Sequence, residues 1–124
     1  DEIHDRQSII DKGYPIVTAN YKFIIALLNK TKILISNDSG IMHTADLLRK
    51  PVVTIWGGTD EVRNGPNSEK SINITNNIHC RPCTVFRRKR NCPSVPYRCL
   101  KEITVGEVYK AAKKLLNELN DSQN

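Results

Sequence analysis

Residues 36–59 constrain the fold of this chain more than any other stretch. Lys32-Ile33-Leu34-Ile35-Ser36 is a short apolar run rich in β-branched residues, which predicts a buried strand. Asp38-Ser39-Gly40 follows with a helix-capping residue and a glycine, just ahead of the periodic set Ile41, Ala45 and Leu48. The spacing predicts a helix over 41–49, closed by the positive charges of Arg49-Lys50 and stopped by Pro51. Val52-Val53-Thr54-Ile55-Trp56 is the next strand and Gly57-Gly58 the next turn. A strand–helix–strand unit this short calls for a parallel pair with a crossover helix. Parallel sheets of this kind bind ligands at the carboxyl ends of their strands. Both glycine turns, Asp38-Ser39-Gly40 and Gly57-Gly58-Thr59, fall on that edge.

The flanking sequence extends the same α/β alternation. Residues 1–12 predict a helix stopped by Gly13 and Pro15, and Ile16-Val17-Thr18 a short strand. Asn20 is a good N-cap for a helix over 21–30, with Tyr21, Ile24, Ile25 and Leu28 on one stripe. Residues 60–70 are polar and turn-rich and predict a loop, and Ser71–Thr75 alternates like a half-buried edge strand. Thr104-Val105-Gly106-Glu107 forms a capping box for a helix running to about Leu119, with a fraying tail over 120–124. At 124 residues the chain is expected to be one domain, with hydrophobic and charged fractions ordinary for a soluble globular protein. Residues 1–12 are polar and acidic and do not resemble a secretory leader; no apolar run reaches the length of a membrane span. The sequons at Asn29, Asn37 and Asn73 read as chance in an asparagine-rich chain.

Residues 80–101 stand apart. They hold Cys80, Cys83, Cys92 and Cys99, and also Arg81, Arg87, Arg88, Lys89, Arg90, Arg98 and Lys101 with no acid among them. Elsewhere basic and acidic residues nearly cancel, so the net charge of +6 is local to this segment. The thiols suit a structural zinc site, two disulfides in an oxidising compartment, or reduced buried cysteines. A thioredoxin-type redox pair follows a strand and opens a helix, whereas Arg81-Pro82 lies between Cys80 and Cys83 in a loop. The charge reads either as a solvated loop or as attraction to a polyanion: nucleic acid, anionic lipid headgroups or a phosphorylated acceptor.

Several motifs in order carry a family resemblance. Asp38-Ser39-Gly40-X-X-His43-X-Ala45, Pro51-Val52-Val53, Gly57-Gly58-Thr59-Asp60, Arg63-X-Gly65-Pro66, Cys80-X-X-Cys83 and Tyr97-Arg98-Cys99-Leu100 together resemble the C-terminal half of the bacterial heptosyltransferases, glycosyltransferase family nine. The similarity covers roughly residues 16–110. Where the family often has Asp-Thr-Gly and Gly-Pro-Thr, this chain has Asp38-Ser39-Gly40, which keeps the hydroxyl, and Gly57-Gly58-Thr59. The cysteine cluster occurs in part of the family.

The resemblance implies a GT-B architecture of two Rossmann-like halves, with residues 1–124 as the nucleotide-sugar-binding C-terminal half. The donor is typically ADP-heptose, the reaction inverting, and the expected general base lies in an N-terminal acceptor domain absent from this chain. The chain alone would therefore be inactive. No cofactor is required; zinc or disulfides at Cys80, Cys83, Cys92 and Cys99 would be structural. The implied partners are a nucleotide-sugar donor, a phosphorylated glycolipid acceptor, the protein's own N-terminal domain and an anionic membrane surface, placing the protein at the cytoplasmic face of the inner membrane.

Elementary chemistry gives the same site. A diphosphate at the start of helix 41–49 would meet unpaired amides and the positive end of the helix dipole. Gly40 permits close approach, Ser39 and His43 offer donors, and Asp38 caps the helix and organises the loop. Two other classes compete: a zinc-stabilised basic nucleic-acid module, and another two-half nucleotide-sugar enzyme such as an epimerase. Against nucleic acid, only Phe86 and Tyr97 stand near the basic run for base stacking, and no RNA or DNA motif surrounds it.

Overall fold

The strand that organises the fold is the most apolar one. In the computed structural model, which describes residues 2–83, 92 and 97–121 (side chains from residue 6), Val52–Trp56 lies at the centre of a three-stranded parallel sheet. Along the chain run α1 (Glu2–Asp11), α2 (Tyr21–Lys30), β1 (Leu34–Asn37), α3 (Gly40–Leu47), β2 (Val52–Trp56), α4 (Glu61–Asn64), β3 (Ser71–Thr75), α5 (Arg98–Lys101) and α6 (Val105–Asp121). The sheet order is β1-β2-β3, with Asn37 beside Ile55 and Trp56 beside Thr75 at the carboxyl edge. The α/β class with flanking helices, expected from the strand–helix–strand unit, is the one observed.

Alternation along β2 divides the core into two. Val52 and Trp56 pack with Leu28 of α2 and with Met42 and Ala45 of α3. Val53 packs on the opposite face with Ile74 of β3 and with Ala112 and Leu115 of α6. Because both faces are covered, β2 reads as a continuous apolar run with one polar residue. That residue, Thr54, is fully buried and donates to Asn73 Oδ1 at 2.5 Å. It also accepts from the indole Nε1 of fully buried Trp56 at 2.7 Å. The polar side chain is tolerated because both its donor and its acceptor capacity are used.

Helix boundaries follow local chemistry. Asn20 Oδ1 accepts from Phe23 N at 3.0 Å, fixing the start of α2. Thr104 and Glu107 form the reciprocal capping box of α6, with Thr104 N donating to Glu107 Oε2 at 2.7 Å and Glu107 N to Thr104 Oγ1 at 3.2 Å. That helix runs to Asp121, past the expected end at Leu119, and residues 122–124 lie outside the described set.

Four local expectations are corrected. Ile16-Val17-Thr18 is not a strand, because no described strand lies beside it and β propensity without a ladder partner does not hold three residues extended. Residues 60–70 are not all loop: Asp60 Oδ1 accepts from Val62 N and Arg63 N at 3.0 and 3.3 Å and nucleates the single turn of α4. Helix α3 spans 40–47 and has no basic residue in its last turn. Arg49 instead sits in the left-handed region (φ 54°) of a Schellman stop, with Arg49 N donating to Asp46 O and Lys50 N to Ala45 O, both at 2.9 Å. Lys50 Nζ serves a different helix, donating to Asn29 O at 2.7 Å and Thr31 O at 3.3 Å at the end of α2. The fourth correction concerns Asp38 and belongs to the site.

Candidate functional site

Register alone brings the two glycine turns together. They follow β1 and β2, neighbouring parallel strands that lie about 4.8 Å apart, so both open on the same sheet edge. The first turn carries Ser39 as the N-cap of α3. Its side chain makes no capping hydrogen bond. Ser36 Oγ donates to Asn37 O at 2.9 Å, so in the 3.0 Å contact between Ser36 and Ser39 it is Ser39 that donates. Any ligand oxygen bound by the Ser39 hydroxyl must therefore draw that proton away from Ser36. Asp38 neither caps α3 nor holds the loop: the cap position is one residue later, and the exposed Asp38 carboxylate has no hydrogen-bond partner among the described residues.

Three amides open α3 without helical partners, those of Gly40, Ile41 and Met42; the first one engaged is His43 N, donating to Ser39 O at 3.4 Å. A side-chain carbon at Gly40 would meet nothing within 4 Å, so space stands open over the first turn. His43 lies exposed on that turn. Behind it, Tyr21 at the start of α2 hydrogen-bonds Thr44 Oγ1, which donates to Gly40 O at 2.9 Å. Tyr21 and Thr44 thus tie the two helix starts together. Asp46 holds the crossover that follows, its carboxylate accepting from Asn67 N and Ser68 N at 3.0 and 2.9 Å.

The second turn, Gly57-Gly58-Thr59, is packed and clamped. A Cβ on Gly57 would lie 3.2 Å from Leu100 Cγ, so α5 rests on this glycine. Arg81, 8% exposed, donates through Nε to Gly57 O at 2.7 Å and through Nη2 to Thr59 O at 3.2 Å and Glu61 Oε2 at 2.6 Å. Its Nη1 donates to Asn76 O at 3.4 Å, beyond the end of β3. Cys83 N donates to Gly58 O at 2.6 Å. Arg81 is therefore not a member of a solvated basic patch; its charge is turned inward on carbonyls and one carboxylate. Arg98 is likewise paired, with Glu102, which also accepts from Asn76. This pairing raises the Arg98 guanidinium pKa and lowers that of the Glu102 carboxyl. The run Arg87–Arg90 lies outside the described residues.

All four cysteines are free thiols: Cys99 buried, Cys80 and Cys83 half-buried, Cys92 exposed. Among the described residues no three His, Cys, Asp or Glu side chains gather as metal ligands.

Residues 19–93, from the cap of α2 through both glycine turns and the Arg81 segment, match the family model described as glycosyltransferase family 9 (heptosyltransferase). The chain belongs to this family. Among curated proteins it is similar to lipooligosaccharide heptosyltransferase 2 of Campylobacter jejuni serotype O:2, at 26% identity over 123 residues. The protein of the same name from serotype O:6 is 25% identical over 122 residues. These alignments cover 89% and 88% of this chain and 37% of each relative, so the chain spans little more than a third of their length. No solved structure matches it. Within this family 9 chain, the sequence singled out Ser39, Gly40, His43, Gly57, Gly58 and Thr59, and all lie on the one sheet edge. Ser36, Tyr21 and Arg81 were missed. Ser36 and Tyr21 carry no motif, and Arg81 is masked by the basic residues that follow it.

Proposed function

We propose that this chain is the nucleotide-sugar-binding part of an inverting heptosyltransferase that transfers heptose from ADP-heptose to a lipopolysaccharide-type acceptor. The observation that carries this reading is the pairing, on one carboxyl edge, of the unengaged first-turn amides of α3 with the turn Gly57-Gly58-Thr59. The Gly40, Ile41 and Met42 amides would receive the donor diphosphate at the positive end of the α3 dipole. Ser39 and His43 would add side-chain donors, whereas the exposed Asp38 carboxylate would repel the phosphates and is assigned no contact with them.

In an inverting transfer, the acceptor hydroxyl attacks the anomeric carbon as the bond to the diphosphate breaks. Negative charge grows on the departing diphosphate. Amides already fixed toward that charge lower the barrier, and loss of one such donor typically costs about 2.7–4 kcal/mol. The general base would come from the remainder of the full-length protein. The acceptor would be a glycolipid, as the lipooligosaccharide named for the relatives suggests; if it is phosphorylated, Arg87, Arg88, Lys89 and Arg90 would draw the protein toward it and toward an anionic membrane surface. No described helix is long and apolar enough to cross a membrane.

Calorimetry on the full-length protein with ADP, UDP and GDP tests the reading. ADP is expected to bind, and Ser39→Ala to weaken it. Preference for another nucleoside diphosphate would change the donor; no binding of any of the three would remove the proposed site.

A further inference from the structure

We infer that Arg81 is a positioning residue for the donor site: it fixes the two outer of three successive peptide planes in the second glycine turn, Cys83 N holding the middle one, so that their amides face the diphosphate. The inference rests on the donor reading above and adds a residue to it. In a trans peptide the C=O and the following N–H point in opposite directions. Arg81 holds Gly57 O and Thr59 O, and Cys83 N holds Gly58 O between them. All three carbonyls therefore turn toward the 81–83 segment. The paired N–H groups, those of Gly58, Thr59 and Asp60, must turn away from it, and none donates to a described residue. Consecutive amides directed to one side form an anion-binding concavity. They follow β2 on the same sheet edge on which the open first turn of α3 follows β1.

The guanidinium suits this task and an ammonium does not. Reaching Gly57 O, Thr59 O, Asn76 O and Glu61 together requires the flat fork of Arg, with several donors at fixed angles. Glu61 contributes by neutralising the buried charge, its carboxylate 2.6 Å from Nη2. The positive charge itself is spent on Glu61 and the carbonyls, so direct attraction of a phosphate by Arg81 is not its role.

The test uses the full-length protein with ADP as probe, read by calorimetry, alongside ¹⁵N relaxation at Gly58 and Thr59. Arg81→Lys and Arg81→Met should both weaken ADP at least tenfold, and both should raise backbone motion at Gly58 and Thr59. In turnover, KM for the donor should rise more than kcat falls. Rescue of affinity by Arg81→Lys would overturn the inference, since charge alone would then suffice. A fall in melting temperature with unchanged ADP affinity in the folded protein would also overturn it, leaving a purely structural residue. Gly40→Val separates this failure from that of the donor reading. ADP binding that is lost in Gly40→Val but intact in Arg81→Met refutes the clamp alone; binding unaffected by either refutes the donor site and the clamp with it.

Discussion

Gly40 offers a perturbation in which stability and binding should move independently. It is the first residue of α3, its φ is not in the left-handed region, and a Cβ there would meet nothing within 4 Å. Gly40→Ala should therefore leave the fold intact and raise stability by between zero and about 1 kcal/mol, because it restricts the unfolded chain. Gly40→Val fits the same space, with its branched carbons standing over the first-turn amides. A diphosphate oxygen must come within about 3 Å of those nitrogens to bind. Displacing it from one amide removes a hydrogen bond to a charged group, about 1.5–3 kcal/mol. At 1.4 kcal/mol per factor of ten, ADP affinity should fall roughly tenfold to a hundredfold. Titration calorimetry on the full-length protein measures the affinity, and thermal unfolding of the same samples measures stability. An unchanged ADP affinity in Gly40→Val, with a cooperative melt, would refute the placement of the diphosphate at α3.

Three further outcomes follow from other parts of the molecule. Arg49→Gly should stabilise the protein by up to about 1 kcal/mol, since the Schellman stop of α3 holds a non-glycine residue at φ 54°, and urea unfolding reads this directly. The Glu107 carboxyl pKa is lowered, chiefly by the Thr104 amide and then by the Thr104 hydroxyl. Its contribution to stability is thus fully present above the ordinary carboxylate pKa of about 4.3 and is lost as pH falls through the lowered value, and Glu107→Gln should flatten the acid limb of urea midpoint against pH. Neutralising Arg87, Arg88, Lys89 and Arg90 should weaken association with anionic vesicles by at most about 1 kcal/mol per charge and abolish most of its salt dependence, with ADP affinity unchanged; tight nucleic-acid binding lost on the same substitutions would favour the nucleic-acid module instead.

Much of the framework could be read from local chemistry. The β1–α3–β2 unit was legible because an apolar strand, a glycine turn and a capped helix each have a distinct local pattern, and Asn20 and the Thr104–Glu107 box marked their helices for the same reason. The Asp60 cap was missed because its helix is a single turn, too short to show apolar periodicity. Asp38 was mistaken for the cap because Asp and Ser are both favoured there and adjacent in sequence, and only backbone geometry selects Ser39. Arg81 was illegible for a different reason. Its partners are mainly carbonyls, which every residue possesses, and its acidic partner Glu61 lies 20 positions away. Burial of that side chain is a property of the folded turn and leaves no mark in composition.

A crystal structure of the full-length protein with ADP tests the central claim most directly. The account predicts diphosphate oxygens at hydrogen-bonding distance, about 3 Å, from the amides of Gly40 or Ile41 on one side and of Gly58 or Thr59 on the other. A diphosphate seated away from both turns, for instance along the basic 87–90 segment, would contradict it.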